Sequence, residues 1–218
     1  MIKATLLNYM GTELTVVNAA RVSFAKESDW VFTSKDGELG WDIKEQDKKL
    51  IKYLAEHGHY SPFGHCFASF HVKAPVFVAR QLVKHEYLRW NEVSRRYVDS
   101  EPEFYDIPIF RAKAKDKKQG SEGATEYKSD LSYRNYALQE YKARLHAGVA
   151  PEQARGCLPL DMMTEWWWSG SLDAWANMCN LRLKPDTQEE TRIVANQISE
   201  QMSKTFPYSW EALVGSGQ

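Results

Sequence analysis

Residues 80–97, RQLVKHEYLRWNEVSRRY, hold four Arg, one Lys, one His, one Gln, one Asn, two Glu and one Ser. That density of donors suits a planar, anionic ligand with many acceptors, such as a nucleotide. Charge-assisted hydrogen bonds are worth about 1.5–3 kcal/mol each. The competing reading is a solvated basic face balanced by Glu86, Glu92 and Asp99. Against it, Arg80 with Lys84, and Arg95 with Arg96, crowd like charges that cost stability unless an anion gathers them. Ser94 lies among Glu92, Arg95 and Arg96, where it is either an activated hydroxyl or a ligand contact. A second cluster is Arg155 with Asn177, Asn180 and Arg182. Asn177 and Asn180 share one helical face. Trp166, Trp167, Trp168 and Trp175 give this helix neighbourhood an apolar setting, so the polar groups need partners, unless Arg182 only closes the helix end.

Other chemistries find less support. His57, His59, His65 and His71 are close in sequence. None forms HExxH or a zinc spacing, so no metal is expected. No GxSxG elbow is present, and no cysteine has an obvious basic partner. Without GxGxxG or a P-loop, a dinucleotide's phosphates would have to be held by side chains.

The net charge of −1 offers no global field for nucleic acid or membranes, so any anion must be bound by local cations. With 218 residues, 43% of them hydrophobic, one domain spanning 1–218 with a sizeable core is expected. The start, MIKATLLNYM, lacks a secretory signal, and no run approaches the ~18 apolar residues of a membrane span. Cys66, Cys157 and Cys179 are an odd, scattered set that suits the reducing cytoplasm.

Positioning these groups requires a scaffold. Residues 2–10 and 13–18 read as strands around Gly11-Thr12, and 28–42 as a loop. Ile43 to His57 reads as a helix stopped by Gly58. Cys66 to Lys73 alternates as a strand. Pro75 then opens a helix that turns Val76, Ala79, Leu82 and Val83 inward. Gln81, Lys84 and His85 fall on a neighbouring face of it. A loop over 87–91 and an extended segment over 93–98 follow. Residues 111–128 read as a mobile surface excursion. Asp130 can cap a helix to about His146, ended by Gly148. Pro151 opens a short helix around Arg155, Ser171 caps one reaching Leu183, and Asp186 with Glu189 resembles a capping box. The last long helix carries Ile193, Ile198 and Met202.

In order along the chain stand NAARVSF at 18–24, HYSPFGHCFASFHVKAPVFVARQ at 59–81, KHE at 84–86, seven residues, then Ser94 within NEVSRRY. ARGCLPL at 154–160, Asn177, NLR at 180–182 and FPYSWEAL at 206–213 follow. This set resembles the flavin-dependent thymidylate synthases, whose motif is Arg-His-Arg, seven residues, then Ser. Only about 25–42 and 111–128 look unmatched.

The resemblance implies an α+β fold, an antiparallel sheet flanked by helices, in a homotetramer whose active sites are shared between subunits. It implies an enzyme that methylates dUMP to dTMP, with carbon from methylenetetrahydrofolate and hydride from reduced FAD, the flavin being reduced by NADPH. Gln81, Lys84, Glu92, Ser94, Arg95, Arg96, Arg155 and Arg182 would contact dUMP. Arg182 would be catalytic, stabilising negative charge on the uracil edge. His59, Ser61, Lys84, His85, Glu86, Asn91, Glu92, Ser171, Asp173, Asn177 and Asp186 would contact FAD. The two clusters would meet across a subunit interface.

The departures gather on the flavin side. Lys84 loses bidentate geometry, and Glu86 reverses the family's charge. Ser171 stands for Asn, Asp173 for Arg, Asp186 for His, and Gly64 for an acid. Two other readings follow from them: a related pyrimidine nucleotide hydroxymethylase or dCMP-acting variant, and a non-catalytic nucleotide-binding module.

Overall fold

The computed structural model describes residues 1–35, 38–115 and 120–215. In chain order these form β1 (Lys3–Met10), α1 (Glu13–Arg21), β2 (Val31–Lys35), β3 (Glu38–Asp42), α2 (Glu45–Glu56), β4 (Phe67–Pro75), α3 (Val76–Leu82) and β5 (Leu88–Glu92). There follow β6 (Arg111–Lys113), β7 (Ser121–Ala124), α4 (Ser132–His146), α5 (Pro151–Ala154), β8 (Met163–Ser171), α6 (Leu172–Arg182), α7 (Glu189–Thr205) and α8 (Pro207–Val214). Strands β1, β4, β8 and β5 pair in that order, all antiparallel. The expected α+β class and antiparallel sheet are what the chain adopts.

Alternation builds the sheet. On β4, Ala68, Phe70, Val72 and Ala74 are buried, while Phe67, Ser69, His71 and Lys73 face the other way. On β8, Trp166, Trp168 and Gly170 share the buried face. Trp90 of β5 stacks on Trp166 at 4.4 Å, and Trp175 of α6 meets both Trp168 and Phe70 edge-on at 4.9 Å. These rings join Val78 and Leu82 of α3 and Val194, Ile198 and Met202 of α7 in one buried cluster. The free edge of β1 is covered by α7: Gln197 and Gln201 accept the Ala4 and Leu6 N–H groups at 2.6 and 2.7 Å. That satisfies backbone groups an edge strand would otherwise expose. The opposite sheet face leaves Met10 and Trp167 exposed.

Several local expectations are corrected. Residues 13–18 form a helix, not a strand. Thr15 Oγ1 accepts the Thr12 N–H at 3.0 Å, and buried Glu13 accepts the Tyr208 and Ser209 N–H groups that open α8. These contacts override the β-branched content. Residues 28–42 hold the hairpin β2–β3, pinned by an edge-on Phe32–Trp41 pair at 5.3 Å. The loop expected over 87–91 is mostly strand β5, because Trp90 needs Trp166 to cover it. The extended segment expected over 93–98 holds a turn closed by Tyr97 N–H to Ser94 O at 2.9 Å. The TEWWWS run is the strand β8, not helix surroundings. Within 111–128 lies the hairpin β6–β7, and residues 116–119 of that stretch fall outside those described. Asp186 does not open a capping box; α7 starts at Glu189 with Gln188 at its cap. Ser171 stands at the cap of α6, but its side chain makes no capping bond. Pro75 sits at the cap of α3 rather than in its first turn.

Candidate nucleotide site

Helix α3 ends at Leu82, so Arg80 and Gln81 ride on it while Lys84 and His85 lie in the turn that follows. Pairing of β4 and β5 with β8 holds both ends of this unit. Helix α6 starts directly after β8 and delivers Arg182 at its last turn. There Arg182 Nε donates to His85 Nε2 at 2.9 Å, and Nη2 donates to Gln81 O at 3.3 Å. An Nε2 that accepts leaves the imidazole proton on Nδ1, so His85 is neutral. Burial and the Arg182 charge push its pKa down to about 4. Burial also lowers the pKa of Arg182, which stays charged.

Gln81 is tied at both ends of its amide. Its Nε2 donates to Gln188 Oε1, and its Oε1 accepts Thr191 Oγ1 at 3.2 Å. Arg80, Gln81, Lys84, Arg182, Lys184, Asp186 and Gln188 line a cleft of about 570 Å³. None of its four basic residues has an ion-pair partner among the described residues. Such a cleft draws an anion with several acceptors.

A second cleft of about 530 Å³ takes Arg80, Glu92, Arg95 and Arg155. Glu92 is fixed by Thr164 Oγ1 at 2.9 Å and Trp90 Nε1 at 3.2 Å. Arg155 Nε donates to Glu152 O at 3.3 Å, and Arg95 Nη1 to Ser100 O. Ser94 Oγ accepts from Arg96 N and Nε, both at 3.3 Å, and no base reaches it among the described residues. That arrangement leaves the Ser94 hydroxyl without a base to activate it. Arg80 lines both clefts.

The cluster read as Arg155, Asn177, Asn180 and Arg182 does not assemble within one chain. Arg155 lines the second cleft, whereas Asn180 is exposed and donates to Leu213 O at 2.9 Å. Within the chain, Arg182 alone of that cluster reaches the first basic region, at Gln81 and His85.

The residues expected around the flavin are more dispersed. His59 lies 6.1 and 6.4 Å from the rings of Tyr53 and His57. Ser61 starts a 3-10 turn, Ser61–His65. Glu86, Asn91 and Asn177 are exposed. Ser171 and Asp173 stand at the start of α6, about 15 Å along the helix from Arg182. Asp186 lines the cleft of Gln81. Among the described residues, Asp173 Oδ1 is buried with no hydrogen-bond partner.

Sequence reasoning passed over Gln188, Thr191, Glu190 and Arg111. They are ordinary helix-start and hairpin residues by spacing, and only the fold brings them to Gln81. Burial pushes the Cys66 thiol up to about 12 and raises that of Cys179 too, so neither is disposed to act as a thiolate. Among the described residues no three of His, Cys, Asp and Glu gather as metal ligands, and no helix is long and apolar enough to cross a membrane.

Residues 5–208 match the family described as thymidylate synthase complementing protein. A flavin-dependent thymidylate synthase from Thermus thermophilus is 39% identical over 211 residues, covering 95% of this chain and 73% of that protein. One from Kosmotoga olearia is 36% identical over 218 residues, covering 96% and 88%. Among solved structures, a UMP/dUMP methylase from Streptomyces cacaoi, bound with 5-Br dUMP, superposes with a TM-score of 0.83 at 28% identity. That likeness covers 100% of this chain and 96% of that one.

Proposed function

The chain belongs to the thymidylate synthase complementing protein family, that of the flavin-dependent thymidylate synthases, and we propose that it methylates dUMP to dTMP. The carbon donor is methylenetetrahydrofolate, and the hydride comes from FAD reduced by NADPH. The observation that carries this reading is the Arg182–His85–Gln81 contact at the wall of a cationic cleft.

Arg182 is partly desolvated and held by two acceptors, so its charge is fixed in place before any ligand arrives. Neutral His85 accepts from it without repelling it. The Nη1 group has no acceptor among the described residues and is free for the nucleotide. A fixed guanidinium facing the uracil edge stabilises negative charge on N3 and the neighbouring carbonyl. That raises the nucleophilicity of C5, and preorganisation of this kind is the largest single contribution in many enzymes. Gln81 and Lys84 hold the nucleotide on this side; Glu92, Ser94, Arg95, Arg96 and Arg155 take its sugar and phosphate.

The residues present fit a flavin. Asp173 Oδ1 is a buried acceptor that a donor of the flavin would satisfy. Ser61, Asn91, Ser171 and Asn177 add donors, and Lys84 adds a cation for phosphate. His59, His85, Glu86, Glu92 and Asp186 complete the set. The flavin supplies the hydride.

The assembly is a cytoplasmic homotetramer of single-domain chains. Two features support shared sites: Arg155 and Arg182 line different clefts of one chain, and the sheet leaves Met10 and Trp167 exposed on its outer face. A partner subunit's second cleft then completes the first.

Flavin-loaded protein given dUMP, methylenetetrahydrofolate and NADPH is expected to yield a product heavier by CH2. A gain of CH2O points to hydroxymethylation, and a panel of dUMP, UMP and dCMP fixes the base and sugar. No dTMP from fully loaded protein overturns the reading.

A further inference from the structure

Four side chains run in line from the β6–β7 hairpin to the first cleft. Arg111 Nη2 donates to both oxygens of Glu190, at 2.9 and 2.7 Å. Glu190 Oε2 accepts Gln188 Nε2 at 3.1 Å, and Gln188 Oε1 accepts Gln81 Nε2. Every link has a direction. A carboxylate only accepts, so Gln188 must turn its NH2 to Glu190 and its carbonyl to Gln81. Gln81 must then turn its NH2 to Gln188 and its carbonyl to Thr191. The two ends of an amide have nearly the same shape, so only the hydrogen-bonding network decides which end points where. Glu190 is buried, its side chain 4% exposed. Burial pushes its carboxyl up, but the Arg111 hydrogen bonds win and hold it below the usual carboxylate range.

We infer that Arg111 and Glu190 are positioning residues that set the orientation of the Gln81 amide, and so which hydrogen-bonding end the cleft presents to the nucleotide. This rests on the reading of Gln81 as a nucleotide contact. The hairpin is seated to do it. Arg111 also pairs with Glu189 at 3.0 Å and donates to Ser121 across the hairpin at 2.8 Å. Gly120 has φ +87°, and a Cβ there would stand 2.8 Å from Asp186 O, so the hairpin lies hard against the turn that leads to Gln188. The stretch that the family motifs leave unmatched thus governs a residue they include.

The test uses full-length, FAD-loaded protein, with dUMP affinity from calorimetric titration and KM and kcat from steady-state rates. Glu190→Gln puts a reversible amide in place of an obligate acceptor. Its dUMP KM and dissociation constant are expected to rise roughly three- to tenfold, with kcat and flavin absorbance held. The decisive variant is the double Q188E/E190Q, which moves the carboxylate one link toward Gln81. The amide at 190 then turns its oxygen to Arg111 and its NH2, swung clear of Arg111 Nη2, to that carboxylate, and Gln81 again faces an obligate acceptor. Affinity is expected to return to within about twofold of wild type. A packing role predicts no such recovery, because the double variant departs further from the native side chains. A folded double variant as weak as Glu190→Gln overturns the inference. Should Glu190→Gln unfold, Arg111→Lys keeps the charge but loses the two-point contact, and an intermediate loss of dUMP affinity is expected; wild-type affinity there also overturns it. Gln81→Leu separates the two readings. If it leaves dUMP binding intact, the assignment of Gln81 fails; if it weakens binding while the 190 variants do not, the relay alone fails.

Discussion

Gln81, Glu92 and Arg182 each make two hydrogen bonds to other groups of their own chain, whereas the side chains of Glu86, Asn91 and Asn177 are exposed and make none among the described residues. In the proposed site Gln81 and Arg182 contact the nucleotide, Glu92 both nucleotide and flavin, and the last three the flavin. A side chain already held loses little entropy on binding and can present charge in a fixed direction. An exposed one gets its geometry from whatever binds it. On that proposal these nucleotide contacts are set by the fold, whereas these flavin contacts take their geometry from what binds. The resemblance sets its departures, Lys84, Glu86, Ser171, Asp173 and Asp186, among the proposed flavin contacts, Lys84 being a proposed nucleotide contact as well. Residues without intrachain duties can change without disturbing the fold.

The largest effect should come from breaking the held half at its charge. Arg182→Ala is expected to lower kcat by roughly 100-fold or more while dUMP KM rises only a few-fold, because the guanidinium acts mainly where negative charge develops. Steady-state rates with flavin-loaded protein decide it. Equal losses in KM and kcat would move Arg182 from charge stabilisation to plain binding, and the contrast between the halves would then rest on packing alone.

The scaffold under the held half can be tested next. A Cβ on Gly170 would meet Leu88 Cδ2 at 2.3 Å and Tyr87 O at 3.0 Å. Gly170→Ala therefore pushes β5 away from β8, and with it Glu92. Overpacking of this kind costs about 1–3 kcal/mol. For a chain of this size that is a fall in thermal midpoint of roughly 2–12 °C, together with weaker dUMP binding. An unchanged midpoint would mean that β5 yields freely and that Glu92 is less fixed than its two hydrogen bonds suggest.

The legibility of the chain divides along the same line. Helix α2, strand β4 and helix α7 were readable because their burial follows a simple period. Helix α1 was not, because its Val16 and Val17 look like strand residues until Glu13 is seen capping α8. Strand β8 was not, because three consecutive tryptophans hide an alternation in which Trp167 faces outward. In the site, Gln81, Lys84, His85 and Arg182 carried enough chemistry to be picked out from spacing and resemblance. Their mutual contacts were not legible. The Arg182–His85 bond joins residues 97 positions apart, and the Gln81–Gln188 bond residues 107 apart. Local pattern holds no record of such pairs; only the closure of the sheet brings them together.

A smaller effect comes from protons. His85 has a pKa of about 4 in the fold, against 6.5 for the free side chain. Between those values the unfolded chain takes up a proton that the folded chain refuses. Stability therefore falls as pH drops from 6.5 toward 4, and is flat with respect to this group above 6.5. Solvent still reaches part of the ring, so the slope is shallower than the full shift implies. His85→Gln keeps an acceptor for Arg182 but cannot titrate. Between pH 7.5 and 5 the wild type should lose about 2–4 °C more in thermal midpoint than this variant. Parallel curves would show that His85 takes up its proton as readily in the fold as out of it, and the pinned Arg182 would lose its neutral acceptor below pH 6.5.

The smallest effect on the fold should be Asn177→Ala, in the half that the chain does not hold. Asn177 is exposed on α6 and has no hydrogen bond among the described residues, so nothing internal is lost. Alanine is the better helix former by up to ~0.7 kcal/mol, so the thermal midpoint should stay level or rise by about 1–3 °C. Flavin affinity should nonetheless drop roughly threefold, the weight of one hydrogen bond, while dUMP affinity stays put. Flavin content after gel filtration and dUMP titration report the two numbers separately. A fall in stability would reveal an internal duty for Asn177. A fall in dUMP affinity with flavin still bound would show that the two halves share this residue. Only the third pattern, weaker flavin on an equally stable chain, keeps them distinct.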